Sequence, residues 1–319
     1  MTEDRGLRLM GTDIRILASP TAADEIEALL RDYDARLSRF RPDSELSLLN
    51  ADPRESVPAS PLLRDAVRTA LQAARSTDGL VDPTLLDELE DAGYVDSWDA
   101  SRRVPWPQAR AGLPPARAAR PHPARRWREI HVDDRRGTIT RPPDLRIDTG
   151  GTGKGHAADV AARALTYEPY WAVSCGGDLR VGGTDGAMHD VRVGHPLDRG
   201  SLRVLRLRSG AVATSGIAAR IWRRPDGRIA HHVIDPATGE PAFSGLAAVT
   251  ALAPTTAHAE AVAKAALLSG RDAARELLTP FGGVIVDAEG RAENVGELDA
   301  APVVRLRVPA RPAPERQAS

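Results

Sequence analysis

The sequence predicts an α+β fold. Segments with the pattern of strands far outnumber the helical segments between them, so the regular alternation of a parallel α/β sheet is missing. The 319 residues are enough to bury one large core or two intimate subdomains. Hydrophobic residues make up 42% of the chain and charged residues 27%, an ordinary balance for a globular protein. We predict a single domain over residues 1–308 and a disordered tail over residues 309–319.

The first half of the chain carries five local signals. Residues 7–17 have the composition of an opening strand, and the apolar residues that follow recur at helical spacing up to Leu37. Ser60 and Pro61 form an N-cap and first-turn pair for a helix that runs to about Arg75. Residues 129–141 indicate a hairpin, and residues 145–148 indicate a strand that leads into a glycine-rich turn.

Residues 101–128 differ from their surroundings. From Arg102 to Arg128 there are six prolines and eight arginines but no acidic residue. Such a composition makes a poor helix and a poor strand, so we predict an excursion over the surface. A solvated loop is favoured over a basic surface for an acidic partner, and both interpretations remain open.

The second half contains most of the predicted strands. Three helices are expected, at about 155–165, 257–268 and 272–278, and the second is built almost wholly of small and aliphatic residues. The expected strands are 171–174, 190–193, 202–207, 230–234, 247–253 and 283–287.

Composition excludes several classes of function. A net charge of −1 and an aromatic content of 4% argue against nucleic acid as a partner. The single cysteine, Cys175, excludes an intrachain disulfide and a multi-cysteine zinc site, and we interpret it as a small buried residue. The first twenty residues lack an apolar signal core, and no stretch is long and apolar enough for membrane insertion. We therefore expect a cytoplasmic, unanchored protein.

The glycine-rich segment 148–155 matches neither of two familiar nucleotide motifs. A P-loop needs glycine where Asp148 stands and serine or threonine where Gly155 stands, and a dinucleotide fingerprint needs glycine or alanine at His156. A turn before a helix remains, whose amide groups and Lys154 can hold phosphate. A tight structural turn explains the segment equally well.

Four other segments are candidates for chemistry. Residues 175–178 and 214–216 are predicted to be turns of small residues. His231 and His232 precede an Asp-Pro turn, where a strand-end histidine is the favoured interpretation over a catalyst. Glu260 and Lys264 share a helical face, either as a surface ion pair or, because the helix is so apolar, as part of a buried site.

Taken in order, these segments resemble the ApbE family of FAD:protein FMN transferases. The likeness begins at Met10-Gly11-Thr12 and continues through residues 37–46, 49–50, 77–84 and 93–94, the glycine turn, the Gly-Gly-Asp and Thr-Ser-Gly turns, the His-Val-Ile-Asp-Pro segment and the Glu260 helix. It covers roughly residues 7 to 290. The resemblance implies a T-fold-like domain with mixed or antiparallel sheets, packed helices and a groove for FAD.

The resemblance also implies roles for individual residues. His232 is expected to help transfer protons. The expected FAD contacts are Met10, Phe40, Leu80, Val81, Asp82, Asp148, Lys154 and Ile234. The expected Mg²⁺ site comprises the main-chain oxygen of Gly151 and, on the late helix, Glu260, Ala263 and Lys264.

The chain departs from the family pattern at this metal site. The family offers aspartate and, four residues later, threonine, whereas this chain has Glu260 and Lys264. Glutamate can bind a hard cation, but a protonated ammonium has no lone pair to offer. Either Lys264 replaces part of the metal's charge and binds the pyrophosphate, or it pairs with Glu260 and leaves a weaker metal site. Phe40 also stands where a tyrosine is frequent in the family.

The resemblance implies a Mg²⁺-assisted transfer of FMN from FAD to a threonine or serine of an acceptor flavoprotein, with release of AMP. Two alternatives use the same residues. A FAD pyrophosphatase would use water as the acceptor, and a non-catalytic protein would bind FAD without cleaving it.

Overall fold

The computed structural model of the protein describes residues 2–198, 200–296 and 298, and it confirms the α+β fold. The helices are α1 Pro20–Leu37, α2 Glu45–Ala51, α3 Pro61–Ser76, α4 Leu86–Asp91, α5 Trp106–Ala111, α6 Gly153–Ala164, α7 Thr256–Ser269 and α8 Arg271–Leu278. The strands are β1 Glu3–Leu9, β2 Thr12–Ala18, β3 Ser56–Pro58, β4 His131–Asp133, β5 Thr138–Thr140, β6 Trp171–Cys175, β7 Asp178–Gly182, β8 His189–Gly194, β9 Ser201–Leu207, β10 Gly210–Gly216, β11 Ile221–Arg223, β12 Ile229–His231, β13 Leu246–Ala253, β14 Gly283–Asp287 and β15 Ala292–Val295.

Eight of these strands form one antiparallel sheet in the order β1-β2-β6-β7-β10-β13-β14-β15. Side chains alternate between the two faces of a strand. On β14, Ile285 therefore packs with the cluster formed by α7 and α8, whereas Val284 and Val286 pack with the β8–β9 hairpin on the other face. Every residue of β13 is buried, because both faces of the sheet are covered there.

The first half of the chain builds a second core. Ile14 and Ile16 of β2 pack with Ile26 and Leu30 of α1, and α3 and α6 complete the same cluster. The two halves meet where α6 crosses the start of α7. The Asp159 carboxylate on α6 accepts hydrogen bonds from the backbone amides of Thr256 and Ala257 at 2.8 and 2.9 Å, which ties the first turn of α7 to α6.

Gly155 is required at this crossing because a side chain has no room. A Cβ atom at this position would lie 2.7 Å from the Ala257 amide nitrogen and 2.7 Å from the Thr256 carbonyl oxygen. Both atoms belong to the backbone of α7, so neither can rotate away. The glycine turn before α6 is therefore held directly against the start of α7.

Many of the predicted elements are present. Ser60 caps α3 by accepting a hydrogen bond from the Leu63 amide at 3.2 Å, and residues 129–141 contain the β4–β5 hairpin. The helices α6, α7 and α8 and the strands β6, β8, β9, β13 and β14 lie within a few residues of their predicted positions. The strand predicted at 230–234 ends earlier, because β12 covers Ile229–His231.

Three local predictions are wrong. Residues 7–17 are a hairpin, because Met10 and Gly11 adopt positive φ values of 53° and 63° and reverse the chain. Residues 145–148 are not a strand: the side-chain amide of Asn50 satisfies the backbone N–H and C=O of Ile147, both at 2.8 Å. Residues 214–216 are not a turn, since they end the central strand β10.

The segment 101–128 is not simply a solvated loop. It contains the helix α5, and the side chains of Ala109, Ala119 and Trp127 are buried. The backbone amide of Ala119 donates to the Leu268 carbonyl at 2.9 Å, so the segment packs against the end of α7. The tail predicted over residues 309–319 lies outside the described residues. None of the helices in the described ranges has the length and apolar composition needed to cross a membrane.

The crossing of α6 and α7 can be tested with one methyl group. We expect Gly155→Ala to lower the free energy of unfolding by about 1–3 kcal/mol, because the added Cβ overpacks against a fixed backbone. Gly153→Ala is the matched control, since a Cβ there would approach nothing closer than the Tyr33 hydroxyl at 3.9 Å. Urea unfolding of both variants checks the prediction, and equal stabilities would contradict it.

Candidate functional site

A pocket of about 330 Å³ opens between the two halves of the domain. Its walls come from the β1–β2 turn, the end of α1, the glycine turn, the segment after β12 and α7. Eleven sequence-predicted site residues line it: Met10, Phe40, Leu80, Val81, Asp82, Asp148, Gly151, Lys154, His232, Ile234 and Lys264. Two others lie behind the wall. Glu260 is buried beneath Lys154, and Ala263 is fully buried in the apolar cluster under α7.

Four charged side chains form a compact cluster behind the glycine turn, which we call the charge cluster: Lys154, Asp178, Glu260 and Lys264. The Lys154 ammonium donates to the Asp178 carboxylate and, at 2.9 Å, to Glu260 Oε1. The other Glu260 oxygen accepts the Gly155 amide at 2.9 Å. Asp178 also accepts the backbone amide of Thr214 at 3.2 Å.

Burial and pairing decide the protonation of these groups. Burial by itself lowers the pKa of Lys154, but the carboxylates of Asp178 and Glu260 outweigh it and hold that pKa above its ordinary value. Burial also opposes the charge of Glu260, yet the two ammonium groups and the Gly155 amide hold its pKa below the usual range. A carboxylate this deeply buried needs such partners, because an unpaired charge is very costly in the protein interior.

Lys264 extends from α7 to the glycine turn. Its ammonium donates to the main-chain oxygen of Gly151 and lies 3.7 Å from Glu260 Oε1. Burial lowers its pKa, and the neighbouring charge of Lys154 acts in the same direction, while Glu260 opposes both. The side chain keeps 16% of its surface exposed, and that part faces the pocket.

The expected magnesium site does not fit this arrangement. Gly151 and Glu260 are two of its expected oxygen ligands, and both already accept hydrogen bonds from ammonium groups. The described ranges contain no group of three or more histidine, cysteine, aspartate or glutamate side chains that could hold a metal ion. A divalent cation would therefore have few free oxygen donors and two positive neighbours.

An aromatic wall closes another part of the pocket. The ring of Phe40 meets the ring of Tyr94 edge-on at 5.6 Å, and the guanidinium carbon of Arg39 lies 4.2 and 4.8 Å from the two ring centroids. Arg39 also donates to the Tyr94 carbonyl at 2.7 Å. Rings and a planar cation held in this way suit the flat ring system of a nucleotide or flavin.

The two adjacent histidines have different surroundings. His231 is fully buried, and its Nδ1 accepts the Val233 amide at 3.3 Å, which is the strand-end role. His232 faces the pocket, and its Nδ1 is buried with no hydrogen-bond partner. Burial, reinforced by the positive charges of Arg220 and Lys264, lowers the pKa of His232 well below its ordinary value. The imidazole is therefore neutral near pH 7 and able to accept a proton.

Asp82 has one unsatisfied oxygen near the pocket. Its Oδ1 accepts both the amide and the hydroxyl of Thr84, at 2.9 and 2.6 Å, while Oδ2 is buried without a partner. Burial raises the pKa of this carboxyl group, against the lowering effect of the Thr84 hydrogen bonds. An acceptor oxygen is thus left available to a donor group on a ligand.

Sequence reasoning missed three residues of the site. Arg39 and Tyr94 lie within segments that carried the family resemblance but were given no role, and Asp178 was assigned only to a turn. Their contacts join residues 55 and 24 positions apart, so local patterns do not reveal them. Cys175, by contrast, is buried as predicted, and burial raises the pKa of its thiol to about 12.

Comparison with known proteins identifies the family. The model of the ApbE family matches residues 10–285. The chain belongs to the ApbE family. It is 30% identical to the FAD:protein FMN transferase of Klebsiella pneumoniae over 270 residues, which cover 81% of this chain and 74% of that protein. The corresponding Escherichia coli K12 protein is 28% identical over 267 residues, which cover 80% of this chain and 73% of that one.

The solved structures agree with this family assignment. The crystal structure of the ApbE protein from Thermotoga maritima matches with a TM-score of 0.75 and 27% sequence identity. The match covers 92% of this chain and 97% of that chain. The antiparallel sheet and packed helices are therefore the family's fold.

The charge cluster makes a prediction about stability. We expect Lys154→Met to lower the free energy of unfolding by about 3–5 kcal/mol, because it leaves two buried carboxylates without their shared cation. Adding Asp178→Asn to this variant should recover part of the loss, since it removes one uncompensated charge. A double-mutant cycle measured by urea unfolding at pH 7 checks this coupling.

The matched control for that cycle is an exposed ion pair. Arg206 and Asp190 lie 3.3 Å apart on the β8–β9 hairpin, and about 70% of each side chain is exposed. Arg206→Met should change stability by no more than about 0.5 kcal/mol. Additive effects of the Lys154 and Asp178 changes would show that the buried pair does not act as a unit.

Proposed function

We propose that this chain is an FAD:protein FMN transferase. It would move the FMN moiety of FAD to a threonine or serine hydroxyl of an acceptor flavoprotein and release AMP. The observation that carries the proposal is the composition of one pocket, in which an aromatic wall, a pair of lysines and a neutral histidine face the same space. The relatives named as FAD:protein FMN transferases support the same activity.

The pocket offers complementary surfaces to the parts of FAD. A planar ring of the ligand can stack on Phe40, Tyr94 and the Arg39 guanidinium. The diphosphate carries negative charge, and Lys154, Lys264 and the first amides of α6 offer positive charge and N–H donors. Arg39 and Lys154 both lie within hydrogen-bonding networks that hold their heads in place, so little reorganisation is needed on binding.

The proposed step is a phosphoryl-type transfer. The acceptor hydroxyl oxygen attacks the phosphorus of the FMN half and forms a phosphoester bond to it. The bond from that phosphorus to the bridging oxygen breaks, and AMP leaves with the oxygen and its electron pair. The hydroxyl proton passes to a base, and the unpartnered Nδ1 of the neutral His232 is the candidate acceptor.

Lysines fit the electrostatic role in this step better than a metal does. Magnesium, when bound, supplies positive charge to a transferring phosphoryl group. In this chain the oxygens of Gly151 and Glu260 already accept hydrogen bonds from ammonium groups.

One reaction tests the proposal directly. The purified chain is incubated with FAD and a flavoprotein acceptor, and the products are separated by denaturing gel and chromatography. We expect covalent, fluorescent flavin on the acceptor and one AMP per flavin attached. An acceptor in which the target threonine is replaced by valine should remain unlabelled. Free FMN with AMP would indicate a FAD pyrophosphatase, and the absence of AMP would leave only FAD binding.

His232 gives this activity a pH dependence. Because its pKa lies well below 6.5, the base is unprotonated near pH 7, and the rate should fall only as pH decreases below that range. We expect His232→Gln to lower turnover by about 10²–10⁴-fold and to abolish this acidic limb. His131→Gln changes an exposed histidine on β4 and is the matched control. An unchanged pH–rate profile in His232→Gln would remove this residue from proton transfer.

A further inference from the structure

We propose that the ammonium group of Lys264 is the resident cation of this site, so that the chain binds the FAD diphosphate without a divalent metal. The inference rests on the proposed function in one respect, since it takes FAD as the ligand. It goes beyond that function because it assigns the electrostatic role to one side chain and predicts independence from metal.

Lysine is rare in this chain, and this makes Lys264 unusual. Lys154 and Lys264 are the two lysines of the whole sequence, and all other residues among the 43 lysines and arginines are arginine. Both lysines lie in the charge cluster at the pocket wall. A lysine head is compact, with three donors on one nitrogen, whereas a guanidinium is a broad plane. Compact cations are therefore found only where the glycine turn and α7 meet.

The Lys264 ammonium group lies between two oxygen atoms. It bridges the Gly151 carbonyl and the Glu260 carboxylate, which are oxygen atoms of the kind that bind a hard cation. The ammonium nitrogen lies directly beside the glycine turn, 3.5 Å from where a Cβ atom on Gly151 would stand. A metal ion coordinated by both oxygens would have to displace the ammonium group.

The charge cluster is balanced by its own side chains. Two ammonium groups and two carboxylates make the charge cluster neutral, so it is stable without an added cation. One of the three donors on the Lys264 nitrogen goes to Gly151, while Glu260 Oε1, 3.7 Å away, is an ion-pair partner beyond hydrogen-bonding distance. The other donors are available to a phosphate oxygen in the pocket, which Lys264 lines.

The first test measures binding in the wild-type protein. With EDTA present, the affinity for FAD should stay within about twofold of the value in excess Mg²⁺ by isothermal titration. Mn²⁺, which is visible by electron paramagnetic resonance, should remain free when the protein is added, with or without FAD. Loss of FAD affinity in EDTA, or capture of Mn²⁺, would overturn the proposal.

The second test follows the lysines themselves. Lysine labelled with ¹³C at Cε gives two side-chain signals in this chain, because it has two lysines. Adding FAD in EDTA should shift the Lys264 signal, assigned by its absence in Lys264→Met. An unmoved Lys264 signal when FAD is bound would show that this ammonium does not reach the diphosphate, and the proposal would fail.

Substitution provides the third test. Lys264→Thr should lower FAD affinity at least tenfold in EDTA, capture Mn²⁺ beside Glu260, and recover affinity when Mg²⁺ is added. Arg206→Thr removes an exposed cation from β9 and should change none of these quantities. If circular dichroism shows that Lys264→Thr is unfolded, the FAD titration in EDTA and the Mn²⁺ measurement on the wild-type protein decide. Binding of FAD without formation of AMP with any acceptor would contradict the proposed function and leave the resident-cation inference standing. Absence of FAD binding would contradict both.

Discussion

The buried carboxylate of Glu260 is the point on which the rest of the structure depends. It lies on α7, only 2% exposed, and an ionised group in that position must be matched by donors from its surroundings. Those donors come from the other half of the domain, as the Lys154 ammonium and the Gly155 amide on α6. Gly155 lacks a side chain because the amide must approach α7 closely, and Asp178 at the start of β7 balances the remaining charge. One carboxylate thus joins two cores and orients the glycine turn.

The same cluster decides what the pocket can bind. Its four charges cancel, yet the ammonium groups lie on the pocket side and the Glu260 carboxylate lies behind them. A ligand in the pocket therefore meets the positive charge of the two lysines on one side and the rings of Phe40 and Tyr94 on another. A molecule with an aromatic ring and a diphosphate satisfies both, and FAD has this chemistry. The relatives of this chain are named for the same molecule, as FAD:protein FMN transferases.

The order of short segments predicted more of the site than any single motif did. The glycine turn by itself fits a structural turn as well as a phosphate site, and His232 by itself fits a strand end. The order of these segments along the chain indicated one family, and the glycine turn and His232 both line the pocket. One wrong prediction shows why composition is not enough. Small polar residues at 214–216 have the composition of a turn, but their pairing with β13 holds them in the strand β10.

The sequence by itself determined the α+β class, the main helices and the family, because these depend on local periodicity and on motifs in a fixed order. Only the tertiary structure decided which charges face one another. Lys264 lies 113 residues from the Gly151 carbonyl that it bonds, and Lys154 lies 106 residues from Glu260. The i,i+4 spacing of Glu260 and Lys264 indicated an ion pair. It could not show that a second lysine, Lys154, donates a hydrogen bond to the Glu260 carboxylate at 2.9 Å. Long-range electrostatics depends on distance and burial, and neither quantity is encoded in local sequence.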